Sequence, residues 1–188
     1  YHNLFLAMKK REITPVVTMS HFEMPIHLSV KYNGWANKEV VAMFEKFARW
    51  ILDEYHDKVK YWITFNEIDA TIHIPYIGAG IIPNKTQDLE TVKYQALHYQ
   101  FVANAKVINY AHNHYKDIKM GCMATKNLKY PSTCKPEDCM QFLRETLEDS
   151  AVTDIQVFGE YPYTLKKFWE KNKISLKMTE EELEVITN

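Results

Sequence analysis

Val59-Lys60-Tyr61-Trp62-Ile63-Thr64-Phe65-Asn66-Glu67 is an aromatic, β-branched run that stops abruptly on two polar residues. Its composition is that of a buried strand. Polar groups at the end of such a strand are costly unless they face a ligand or each other. In a barrel of parallel strands, the carboxyl ends of the strands carry the catalytic groups. A strand-end Glu beside an Asn supplies a carboxylic acid and a hydroxyl-binding amide, the two groups a sugar-cleaving enzyme needs. A buried strand running into a capped loop would read the same way, so the motif alone leaves both readings open.

Working outward from this strand, the pattern alternates. Leu4 to Arg11 reads as the last turns of a helix, and Ile13 to Met19 as a short strand with Pro15 near its start. That strand leads into the polar and aromatic exit Ser20-His21-Phe22-Glu23-Met24-Pro25. Asn37 is a candidate N-cap for a long helix. The helix carries Val40, Val41, Phe44, Phe47, Ala48, Ile51, Leu52 and Tyr55 on one face. After Glu67 comes a long connection holding Pro75, Gly78, Gly80, Pro83 and Asn84. Connections beyond about 15 residues are uncommon unless they bind something or are disordered.

A second long helix is predicted over 89–115, then a third strand over Lys119 to Ala124. Further helices are predicted around 136–149 and 163–172. Thr179 with Glu182 three residues on is a capping-box pattern for a last helix. Strand, helix, strand, helix, strand is the signature of successive βαβ units and a parallel sheet. A closed parallel barrel has eight strands in about 250 residues, and only three clear strands are legible here. The expected fold is therefore α/β, part of a larger barrel, with 1–188 as one domain.

Composition narrows the function. The 188 residues are 46% hydrophobic and 25% charged, with a formal net charge of −1. That is a globular composition, without the basic surface that nucleic acid requires. No apolar run approaches the ~20 residues of a membrane span. The opening Tyr1-His2-Asn3 has neither an initiator Met nor a signal pattern and reads as the interior of a polypeptide. Cys122, Cys134 and Cys139 make an odd set without the spacing of a disulfide framework or a zinc site. Cys122, in an apolar strand-like run, is expected to be a small buried hydrophobe. His112 and His114, two apart on a helix, point in different directions, so no metal site is expected.

The residues then become specific enough to resemble a family. Pro15-Val16-Val17-Thr18-Met19-Ser20-His21-Phe22-Glu23-Met24-Pro25, Tyr61-Trp62-Ile63-Thr64-Phe65-Asn66-Glu67-Ile68, Gly78-Ala79-Gly80 and Val92-Lys93-Tyr94-Gln95-Ala96 resemble glycoside hydrolase family 1. So do Gly121-Cys122-Met123-Ala124, Tyr130-Pro131, Gly159-Glu160-Tyr161-Pro162 and Met178-Thr179-Glu180-Glu181, in the same order. Within the family the sequence is most similar to the 6-phospho-β-glucosidase branch. The resemblance implies a (β/α)8 TIM barrel of which this chain holds about strands 3–5 and their helices.

It also implies roles. Glu67 would be the general acid/base, protonating the departing glycosidic oxygen and then deprotonating water. Asn66 would bind the sugar 2-hydroxyl and His21 a ring hydroxyl. Phe22 stands where many members have Trp, and would pack near the sugar without an indole donor. Glu23 would support the site or make a structural contact, and no chemistry is assigned to it. The family's nucleophile lies in a Thr-Glu-Asn-Gly motif, and no such motif occurs here. No nucleophile is therefore assigned in this chain, and the phosphate-binding group of the branch is not visible in it either. Glu148-Asp149-Ser150-Ala151-Val152 stands where the family has a more aromatic run, and Phe158 replaces a frequent Arg.

The expected activity is retaining hydrolysis of 6-phospho-β-D-glucosides to glucose 6-phosphate and an aglycone, in the cytoplasm and without a cofactor. The alternatives are a β-glucosidase acting on unphosphorylated glucosides and a non-catalytic fragment. The expected partner is a small β-glucoside rather than nucleic acid or membrane. Exposed sheet edges would favour a homo-oligomer or a complementing fragment, and the isolated chain is expected to be inactive.

Overall fold

Three short strands organise the chain: β1 (Val16–Ser20), β2 (Tyr61–Phe65) and β3 (Lys119–Gly121). They form one parallel sheet in the order β1-β2-β3, with Val16 beside Tyr61 and Tyr61 beside Lys119. The computed structural model describes residues 1–187, apart from the side chain of Glu148. Asn188 and the Glu148 side chain, whose positions were read in the sequence above, lie outside the described residues.

Each strand is shorter than its sequence suggests. β1 starts after Pro15, which has no N–H to give a ladder. β3 stops at Gly121, and the apolar residues beyond it lie outside any regular element. Cys122 is consequently exposed rather than buried, which corrects the sequence expectation.

The helices follow their apolar spacing. α1 (His2–Lys10) buries Phe5, whose ring meets Tyr55 edge-on at 5.2 Å. α2 (Ile26–Tyr32) ends at Asn33, in left-handed conformation, and a 3-10 turn follows at Gly34–Ala36. α3 (Glu39–Tyr55) begins where the Asn37 side chain accepts the Glu39 N–H at 2.8 Å, the capping its sequence announces. α3 buries Val40, Val41, Phe44, Ala48 and Leu52. Phe47, grouped with that face by spacing, is instead 46% exposed.

The connection after β2 is not structureless. It contains the short helices α4 (Ala70–His73) and α5 (Pro75–Ala79). Gly78 is required there, since a Cβ would lie 2.5 Å from the Ala70 carbonyl carbon and from the Thr71 nitrogen. α6 (Leu89–His114) is capped by Asp88, which accepts the Thr91 N–H at 3.1 Å.

α7 (Pro136–Phe158) runs nine residues past the boundary expected at 149, because Ala151, Val152 and Ile155 are buried there, while the described α7 residues before them are exposed or half-buried. It ends at Gly159, in left-handed conformation. α8 (Tyr163–Lys171) and α9 (Glu180–Thr187) complete the described residues.

The core lies between the sheet and the α3–α6 pair. Trp62 is buried with its indole N–H donated to the Val59 carbonyl at 2.9 Å. Phe65 stacks on Phe44 of α3 at 4.5 Å and meets Trp35 edge-on. Thr64 donates to Asn104 of α6 at 2.5 Å, so the last two residues of β2 engage both flanking helices. One turn earlier in α6, Gln100 accepts from Thr71 at 2.6 Å and donates to the Gly78 carbonyl.

On the other sheet face Phe65, opposite Ser20 at the strand end, stays buried, but the burial is lost over the two rows before it. Val16, Tyr61 and Lys119 form one register row and Thr18, Ile63 and Gly121 another, and all six are exposed or half-buried. Parallel sheets normally have both faces covered.

A polar cluster docks α9. Thr179 and Glu182 form the reciprocal capping box, at 2.8 and 3.2 Å. The same Glu182 carboxylate pairs with Lys38 at 2.7 Å and faces the buried His98 of α6 at 3.5 Å. The other ring nitrogen of His98 shares a hydrogen bond with Tyr161 Oη at 2.7 Å. Burial lowers the His98 pKa against the opposing pull of Glu182. Burial alone would raise Glu182, but hydrogen bonds from Lys38 and Thr179 outweigh it and hold the carboxyl at about 2.

Candidate active site

The residues singled out by sequence gather where β1 and β2 leave the sheet. The Asn66 N–H donates to the Ser20 carbonyl of β1 at 2.9 Å. The Ile68 N–H donates to the Met123 carbonyl, just past β3, at 3.2 Å. Glu67 is thus held between two residues fixed to opposite neighbours. Its own carbonyl accepts the Ala70 N–H at 2.8 Å and starts the turn into α4.

Glu67 has φ 40° and Phe22 has φ 69°, both in the left-handed region. Each such residue costs about 1–3 kcal/mol, and such strain clusters at functional sites. Here it falls at the exit of two adjacent strands, on two of the four residues that the sequence nominates.

Asn66 is buried, Glu67 and Phe22 are half-buried, and His21 is exposed. The His21 ring meets Phe22 edge-on at 5.3 Å. The Glu23 carboxylate accepts the His21 backbone N–H, so Glu23 shapes the loop that presents His21.

Asp69 escaped the sequence reading. It is buried and accepts the Thr125 N–H at 2.9 Å, tying the segment after β3 to the segment after β2. The only trace in the sequence is an isolated acid in an apolar run after Glu67.

Two cavities flank this rim. One of about 360 Å³ lies at the exit of β1, lined by Phe22, Met24, Trp35, Phe44 and Ile77 among others. Another, of about 170 Å³, begins at Asp69 and includes His73, Thr125, Val152 and Phe168. Neither is lined by His21, Asn66 or Glu67. Among the described residues no group of three His, Cys, Asp or Glu side chains could hold a metal ion. No described helix is long and apolar enough to cross a membrane. Phe158 closes α7 with its ring exposed.

An acid, Glu67, and an amide, Asn66, thus stand side by side on the rim of a parallel sheet. The chain belongs to glycosyl hydrolase family 1, whose description matches residues 1–188. It is 38% identical over 188 residues to a 6-phospho-beta-glucosidase of Clostridium longisporum, covering all of this chain and 40% of that protein. It is also 38% identical over 186 residues to the aryl-phospho-beta-D-glucosidase BglH of Bacillus subtilis, covering 99% of this chain and 40% of the relative. The chain therefore spans about 40% of the length of these relatives.

Among solved structures, the family 1 b-glucosidase from Thermotoga maritima superposes with a TM-score of 0.80 at 24% identity. The superposition covers 99% of this chain and 41% of that one, and the likeness is one of fold.

Proposed function

We propose that this chain is the part of a (β/α)8 barrel around strands 3–5, and that the whole protein is a retaining hydrolase of 6-phospho-β-D-glucosides. The observation that carries the reading is Asn66-Glu67 at the carboxyl end of the middle parallel strand in a chain of this family. The open sheet face, with its rows Val16–Tyr61–Lys119 and Thr18–Ile63–Gly121, fits a barrel interior that further strands would enclose. The names of the relatives support the phosphorylated substrate.

In this reading Glu67 donates its proton to the glycosidic oxygen as the bond breaks, with oxocarbenium-like charge developing on the sugar. A second carboxylate about 5–5.5 Å away attacks the anomeric carbon and forms the glycosyl-enzyme. This chain has no Thr-Glu-Asn-Gly motif to supply that carboxylate. Glu67, now ionised, takes a proton from water, which releases the sugar with retained configuration. Asn66 donates its amide to the 2-hydroxyl, an interaction that strengthens in the transition state. His21 bonds a second ring hydroxyl, and Phe22 packs beneath it.

The test is hydrolysis of p-nitrophenyl β-glucoside 6-phosphate beside its unphosphorylated analogue, by the full-length protein and its Glu67→Gln variant. Turnover of the phosphorylated substrate alone, with the steady-state rate greatly slowed in the variant, upholds the reading. Turnover of the unphosphorylated one alone replaces it with a simple β-glucosidase. A Glu67→Gln variant as active as the parent would remove Glu67 from the mechanism.

The open sheet face and the absent second carboxylate motif favour one companion reading. Residues 1–188 alone would be a non-catalytic segment, and the isolated chain should turn over neither substrate.

A further inference from the structure

Cys134 and Cys139 bracket the start of α7. Cys134 precedes Lys135, the residue before the helix, and Cys139 is the fourth helical residue counted from Pro136. These are the two positions whose side chains pack together in a hydrophobic staple. Thr133 fixes the entry of the chain: its hydroxyl donates to the Asp138 carboxylate at 2.6 Å and accepts the Lys135 N–H at 3.1 Å. The Cys139 thiol points back to the Thr133 carbonyl at 4.0 Å, at the peptide that leads into Cys134. Both cysteines are exposed, so a small reagent reaches either one.

We propose that Cys134 and Cys139 form a reversible disulfide with a low-molecular-weight disulfide, such as oxidised glutathione, as the oxidant. One cysteine thiolate attacks a sulfur of the small disulfide, breaking its S–S bond and expelling a small thiolate. The second cysteine thiolate then attacks the protein sulfur of the mixed disulfide, forming the Cys134–Cys139 bond and expelling the other small thiolate. The protein gives up two electrons and two protons, and the small disulfide takes up both as two thiols.

The bond would act on the segment that flanks the candidate active site. Residues 122–135 begin beside Glu67, where Met123 accepts the Ile68 N–H and Thr125 donates to Asp69. Midway, Lys129 pairs with Asp149 of α7 at 2.9 Å. A Cys134–Cys139 bond locks the far end of this segment onto the same helix. The inference does not depend on Glu67 being the acid/base.

The experiment is to equilibrate the reduced full-length protein with oxidised glutathione, block free thiols with an alkylating reagent, and map the peptides by mass. The expected product loses two hydrogens at Cys134 and Cys139 together, and dithiothreitol restores both thiols. Cys134→Ser and Cys139→Ser should each leave a glutathione adduct on the remaining cysteine, while Cys122→Ser leaves the cross-link intact. Glutathione adducts on both cysteines of the parent protein, a cross-link that uses Cys122, or two unmodified thiols would each overturn the proposal. The measurement on the parent protein decides this without any variant.

Discussion

The Ser20 carbonyl accepts the Asn66 N–H at 2.9 Å, one residue beyond the Phe65 that stands opposite Ser20 in the sheet. Asn66 is thereby the last residue the β1–β2 ladder holds, and Glu67, with its positive φ, is the first outside it. An amide residue whose backbone is bonded to the neighbouring strand and an acid on a turned backbone sit side by side, so changes at the two positions should have different signatures.

For Glu67→Gln in the full-length protein, kcat/KM on an alkyl glucoside 6-phosphate should fall about 10²–10⁴-fold, the usual contribution of general acid–base catalysis. With a p-nitrophenyl leaving group, which needs little protonation, release of the sugar should become the slow step. Stopped-flow absorbance should then show a burst of nitrophenolate followed by slow turnover. A uniform loss for both substrates, without a burst, would place Glu67 outside proton transfer.

Thr64→Val removes the hydroxyl that donates to the buried Asn104 and leaves that amide oxygen without its partner. The cost should be about 1–3 kcal/mol in urea unfolding. Adding Asn104→Leu should recover part of it, because two apolar groups need no partner. Two losses that simply add would mean that the pair is not coupled.

Gly34 sits at φ +60°, and a Cβ there would stand 2.0 Å from the Ala79 carbonyl oxygen. Gly34→Ala should destabilise by more than the ~1–3 kcal/mol of backbone strain alone, since the Gly80 backbone is also in the way. Differential scanning calorimetry should show a clearly lower Tm. An unchanged Tm would mean that the Gly34 turn can relax away from α5.

Stability should fall in two stages on acidification. The fold holds His98 neutral by burial, so below its ordinary value of 6.5 the unfolded chain binds a proton that the folded chain refuses. Glu182 is held at about 2, so its contribution is complete above 4.5 and is lost as pH falls from there towards 2. Both terms have the same sign. Lys38, Tyr99 and Tyr161 are the other titratable groups around them, and all three are shifted upward, away from this window. Urea midpoints on either side of pH 6.5 and again below pH 4.5 measure the two stages. His98→Gln should abolish the first and spare the second.

Much of this was legible because it is local. The runs Val16-Val17-Thr18-Met19 and Tyr61-Trp62-Ile63-Thr64-Phe65 announce buried strands by composition, and Thr179 with Glu182 announces a helix start by spacing. Asn66 and Glu67 were visible as polar residues where a buried strand should not end.

The misread boundaries have local causes as well. Cys122-Met123-Ala124 is apolar enough to pass for strand, but the β2–β3 pairing ends at Gly121, and Met123 bonds instead to the Ile68 N–H, past the end of β2. The polar Glu148-Asp149-Ser150 looks like a helix end, while the next turn of α7 is buried. What could not be read is what depends on distant partners. Asp69 with Thr125, and Glu182 with Lys38 and His98, join segments whose proximity no single stretch encodes.

The Glu182 cluster has a consequence for the order of assembly. It closes the chain between Lys38, ahead of α3, and α9 near the end of the described residues. A closure of such long sequence separation gains little until α6 and its neighbours are already in place. Its energy should therefore be absent from the rate-limiting barrier to folding and appear on the way out. Glu182→Gln should speed unfolding in a denaturant jump and leave the refolding rate of the full-length protein nearly unchanged. The last helix then works as a clasp, deciding how long the fold lasts rather than how fast it forms.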